Sequence, residues 1–110
     1  MIKIISNEVN EFIKYLNEKY KTEKDVYMHI IENCDVVKNP QTGTTAYGAY
    51  VSSPNGDYNH IYIAGLCDEV LWTIAHEYKH HLQKYNEQVD FSEEDADNFA
   101  DKVVNDFMEN

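Results

Sequence analysis

The string His76-Glu77-Tyr78-Lys79-His80 is an H-E-x-x-H sequence. On a helix its two histidines stand one turn apart on one face, so both imidazoles can reach a single metal ion. Zinc is the default metal for such nitrogen ligands. Glu77 can reach a water beside the metal and take its proton, the metal lowering that water's pKa towards about 7 and polarising a substrate carbonyl. Helical phase separates these residues from the core. At about 100° per residue, Leu71, Ile74, Ala75, Tyr78, Leu82 and Tyr85 form one apolar stripe. His76 and His80 fall on the opposite side, which argues against histidines satisfied within the core.

A catalytic zinc site needs a third protein ligand and an open position. No histidine follows His81, so the search passes to Glu93, Glu94, Asp95 and Asp97 at the start of the last helix. Around the stripe Ala96, Phe99, Ala100, Val103 and Phe107, Glu93 lies on the flank with Asp97 near it, while Glu94 and Asp95 point away. Glu93 is the expected third ligand. Asp97, one turn on, is placed to hold a ligand imidazole from behind. His81 lies about 100° round from His80 and is expected at the surface. Lys79 carries no expected role. His29 reads as structural and Cys67 as packing.

These side chains need a scaffold. Val9, Phe12, Ile13, Leu16 and Tyr20 mark an amphipathic helix over residues 7–20, with Ser6 as its N-cap. Residues 25–64 read as strands: Val26 to Ile31, Ala46 to Val51, and Tyr58 to Ile63, with Pro54-Asn55-Gly56-Asp57 as the turn of a hairpin over 46–64. The stretch 38–45, holding Pro40 and Gly43, reads as a loop. Asp68 is the expected cap of the H-E-x-x-H helix, which extends to about Tyr85. Ser92 caps the last helix, with Asp95 as its capping-box partner. Only 12 residues separate His80 from Glu93, so the loop 87–91 must fold that helix straight back.

Composition bounds the rest. One domain over 1–110, of class α+β, suits 110 residues. Twenty acids against nine lysines give a net charge of −11, which disfavours nucleic acid and an anionic membrane as partners. With 43% hydrophobic and 13% aromatic residues, the chain can bury a core. Cys34 and Cys67 are too few for a disulfide framework and suit a reducing cytoplasm. No apolar run approaches the roughly 18–20 residues of a membrane span, and Met1 to Ile5 lacks a signal-peptide pattern.

His76-Glu77-x-x-His80 followed by Glu93-x-x-Ala96-Asp97-x-Phe99-Ala100 resembles the gluzincin metallopeptidases, and most of all the compact ImmA/IrrE-type group, whose second motif reads E-x-x-A-N/D-x-F-A. Membrane-embedded zincins that process prenylated proteins carry a similar E-x-x-A-D. The resemblance covers residues 68–108. It implies a small zincin-like fold, with an N-terminal helix, a short mixed or antiparallel sheet with a hairpin, an active-site helix and a C-terminal ligand helix. It implies Glu77 as the catalytic base, zinc held by His76, His80 and Glu93, and a peptide or protein substrate paired along an edge strand between Ala46 and Ala64. It also implies a phage or mobile-element setting. No Tyr or His follows Glu93 to stabilise an oxyanion, which leaves His60, Tyr50 and Tyr58 as candidates. The expected function is thus a minimal zinc peptidase. Two other readings stand beside it: a zinc-stabilised module that captures a protein partner on its edge strand, and a plain α+β domain without metal.

Overall fold

The computed structural model describes residues 7–55 and 57–109. Ser6 and Gly56, assigned above to a cap and a turn, lie outside them. Helix α1 (Asn7–Lys19) buries Phe12 and Leu16, one turn apart as the apolar spacing requires. Strand β1 (Tyr27–Ile31) follows. Two-residue strands β2 (Val37–Lys38) and β3 (Thr45–Ala46) then pair with each other. The expected loop 38–45 is therefore corrected at both ends. Asn39 turns the chain between them, its amide donating to the Thr44 carbonyl and its carbonyl accepting from Gly43 N–H. Gly43 holds a φ of 78°, open to glycine without steric cost.

Strands β4 (Gly48–Ser52) and β5 (Asn59–Ala64) form the expected antiparallel hairpin, while β1 lies parallel to β5. The sheet order β1-β5-β4 makes the sheet mixed and leaves β4 at an edge. Period-two alternation sorts its faces. Ile30, Tyr50, Ile61 and Ile63 point into the main core, against Ile74, Ala75, Tyr78 and Leu82 of helix α2 (Val70–Leu82). On the other face Tyr27, His29, His60 and Tyr62 stack, and Val37, Ala49 and Ala64 make a small second cluster with Cys67 beside it. Both cysteines are free, and Cys67 packs as expected.

Helix α2 starts at Val70, not behind an Asp68 cap. Glu69 holds the N-cap position with no side-chain hydrogen bond to the helix. Nor does α2 run unbroken to Tyr85. It passes at Leu82 into a π-helical turn, Gln83–Glu87, closed by Gln88 in the left-handed region at φ 55°. That turn reverses the chain in the short space available. Helix α3 (Glu93–Glu109) then lies back across α2 and buries Ala96, Ala100 and Val103. Ser92 Oγ accepts from Asp95 N–H, as a cap should. The Asp95 carboxylate does not return to Ser92, as a capping box requires; it accepts from Gln83 Nε2. No helix of the described residues is long and apolar enough to cross a membrane.

Candidate metal centre

The predicted phase of α2 holds, but its histidines do not face water. Helix α3 covers them, leaving His76 9% and His80 5% exposed. Their rings stand perpendicular with centroids 4.9 Å apart. Glu93, the first residue of α3, spans both: Oε2 lies 3.0 Å from His76 Nε2 and Oε1 lies 3.0 Å from His80 Nε2. All the donor atoms fall within 4.8 Å of one another, so His76, His80 and Glu93 are positioned to hold a metal ion. Bonds of about 2.0–2.2 Å in a tetrahedral site put neighbouring donors roughly 3.3 Å apart, near what is seen.

The far side of each ring tests whether these residues fit a metal. Gln83 Oε1 lies 2.9 Å from His80 Nδ1. The Gln83 amide nitrogen faces two acceptors, the Ser92 carbonyl at 3.1 Å and Asp95 Oδ2 at 2.9 Å, so its oxygen must be the atom facing His80. In its neutral form His80 therefore donates from Nδ1 and turns the lone pair of Nε2 towards Glu93. That lone pair and the Glu93 oxygen 3.0 Å away repel each other unless a proton or a metal cation lies between them. A divalent cation satisfies both atoms at once. His76 is backed by Asp97, whose Oδ1 lies 2.9 Å from Nδ1 but off the N–H axis, leaving that buried nitrogen without a well-directed partner. The donor set fits a metal, and His80 is the more firmly set of the two imidazoles.

Glu77 is 8% exposed, with Oε2 4.0 Å from His76 Nε2. Burial raises its carboxyl pKa. The neighbouring His76 and His80 pull it down, and Glu93 pushes it up. Strand β4 lies directly against this side chain. A Cβ added at Gly48 would sit 2.7 Å from Thr73 Cγ2 and 3.0 Å from Glu77 Cγ. Only a glycine lets the edge-strand backbone approach the carboxylate this closely. Aromatic rings flank the histidines: Trp72 stacks on His76 with centroids 5.1 Å apart, and Phe91 lies 5.0 Å from His80.

His81 departs most from expectation. It is fully buried rather than at the surface. Nε2 lies 2.6 Å from the Lys24 carbonyl, which can only accept, so Nδ1 accepts in turn from the Tyr50 hydroxyl at 2.7 Å. Burial lowers its pKa, which keeps the ring neutral. Tyr50 thus spends its proton inside the core. His60 and Tyr58 stack together on the opposite face of the sheet, and His60 Nδ1 meets His29 Nε2 at 2.9 Å. None of the three oxyanion candidates is brought to the histidine–glutamate cluster with a free donor. His29 stays in its stack, away from the cluster. Lys79 is 13% exposed in its side chain and pairs with Glu87 and Asp95, helping to clamp α3 onto α2.

Sequence reasoning missed Gln83. It is fully buried and joins His80 to the α3 cap. Its spacing was a usable signal, since it stands three residues after His80 and on the same helical side as both histidines. No family model, curated protein or solved structure matches this chain.

Proposed function

We propose that this chain is a minimal zinc-dependent peptidase of zincin-like design, close in plan to the ImmA/IrrE-type gluzincins. The Glu93 carboxylate bridging the two Nε2 atoms, with Glu77 buried beside them and against an edge strand, carries this reading. His76, His80 and Glu93 would hold the zinc, with Gln83 orienting His80 and Asp97 beside the outer nitrogen of His76. Zinc, when bound, makes a water nucleophilic near neutral pH and polarises the peptide carbonyl. Glu77 accepts the water's proton and hands it to the leaving amine. The free edge of β4 pairs with an extended substrate and lays its backbone across Glu77. The surplus of acids favours basic or neutral substrates in a cytoplasmic setting.

Two measurements test this. The protein purified without chelator should carry close to one equivalent of zinc, and zinc should raise the melting temperature of the stripped protein. Less than a tenth of an equivalent and no thermal shift would refute the metal site. Glu77→Gln should keep zinc but lose peptide hydrolysis by about 10²–10⁴-fold. Metal-dependent cleavage that survives the substitution would refute the mechanism.

One observation favours a second reading, a zinc-stabilised module that binds a protein partner on β4 without cutting it. The Tyr50 hydroxyl is committed to His81, and His60 and Tyr58 face the other way, so none of these groups serves a developing oxyanion. A library of unstructured peptides that the zinc-loaded protein binds but never cleaves would favour that module.

A further inference from the structure

A concavity adjoins Trp72, the residue stacked on His76. It is a cleft of about 850 Å³ between the start of α1, the end of β1, the first turn of α2 and the second half of α3. Val9, Ile30, Leu71 and Val104 give it apolar walls. Glu8, Glu32, Asp68, Glu69 and Asp101 also line it, and among the described residues no lysine does. None of these five acids makes an ion pair among the described residues, where lysine pairing goes to Glu87, Asp95 and Asp106. The Glu32 side chain is part-buried at the cleft wall. Asp101 accepts from Trp72 Nε1 at 2.8 Å.

Size and apolar walls are those of a ligand site. Its charge is one-sided, and a cleft lined by one sign concentrates the opposite sign. We propose that this cleft binds a polypeptide segment in which a lysine or arginine side chain is flanked by aliphatic residues. The aliphatic stem and its neighbours pack on Val9, Leu71 and Val104, and the cationic head lies among the carboxylates of the cleft, Glu32 and Glu69 included. Trp72 joins the two sites. Its ring stacks on His76 while its Nε1–H is held by Asp101 at the wall of the cleft. Occupancy is therefore read by the only tryptophan in the chain.

The test uses acetyl-Ile-Lys-Leu-Lys-Ile-amide and its glutamine counterpart, acetyl-Ile-Gln-Leu-Gln-Ile-amide. Each is titrated into the full chain while Trp72 emission and side-chain methyl NMR shifts are followed. A parallel run in EDTA keeps metal at the histidines from contributing. The lysine peptide should bind saturably and at least tenfold tighter than the glutamine peptide, shifting the methyls of Val9, Ile30, Leu71 and Val104. The double variant Glu32→Gln/Glu69→Gln should weaken it at least fivefold while its other methyl shifts remain those of the folded protein. Equal affinity for the two peptides overturns the proposal. So do methyl shifts scattered over the acidic surface, or affinity unchanged in the double variant. Because the reading survives in EDTA, it stands or falls apart from zinc and peptide cleavage.

Discussion

Replacing Gln83 by leucine keeps the volume and removes every polar contact of one buried amide. His80 Nδ1–H loses its acceptor, while the Ser92 carbonyl and Asp95 lose a donor. Leaving such buried groups unpaired costs about 1–3 kcal/mol each before relaxation, and Asp95 and Ser92 can turn to water. A net loss of about 2 kcal/mol corresponds to roughly 8–10 °C in melting temperature for a domain of this size. Metal affinity should fall separately, because a ligand imidazole without its outer partner typically loses about 10–100-fold. With free zinc at about 100 times the wild-type Kd, binding stabilises the fold by about 2.7 kcal/mol. A 30-fold weaker site leaves about 0.9 kcal/mol under the same conditions. The assay is thermal melting in EDTA and in buffered zinc, with Kd from chelator competition. Gln83→Glu divides the two effects. It still accepts from His80, so zinc affinity should stay within about threefold, but it faces Asp95 and the Ser92 carbonyl without a donor and should melt early. If Gln83→Leu loses the same stability with and without zinc and its Kd is unchanged, Gln83 packs the helices and does not orient a ligand.

Three further outcomes follow from the same contacts. Gly48→Ala should cost about 1–3 kcal/mol in chemical denaturation, because its Cβ displaces Thr73 and Glu77; unchanged stability would mean β4 does not press on Glu77. Tyr50→Phe should cost about 1–2 kcal/mol through the orphaned His81 Nδ1, yet leave peptide hydrolysis nearly unchanged, whereas an oxyanion donor would cost about 10²–10³ in kcat. In EDTA, wild-type stability should fall relative to His81→Gln as pH drops below about 6.5, the ordinary histidine value. The native His81 has a lowered pKa and stays neutral, while the unfolded chain takes up the proton, so acid favours unfolding. Parallel pH profiles for the two proteins would refute a neutral buried His81.

Much of this arrangement was legible because helices repeat. Phase alone put His76 and His80 opposite the core stripe and set Glu93 and Asp97 on the flank of α3. The structure brings all four together. The alternation of β5 and the turn before it marked the hairpin. What escaped depends on tertiary partners. His81 reads as a surface residue from α2 alone, and becomes core only because Lys24 and Tyr50 arrive from distant segments. The Asp68 cap failed because helix entry is set by backbone geometry that composition does not report. The π-helical turn Gln83–Glu87 has no sequence signature, although the helical phase of α2 already places Gln83 on the side of the two histidines.

The three donor residues all fall within residues 76–93, in one helical hairpin, and the sheet supplies none of them. An ion there would tie together two neighbouring stretches of chain and close only a short loop. Its departure would be felt first by α3, whose entry would lose one of its tethers to α2 while the sheet and its Ile61–Ile63 core stay packed. Loss of metal would then resemble the fraying of one terminal helix rather than collapse of the domain.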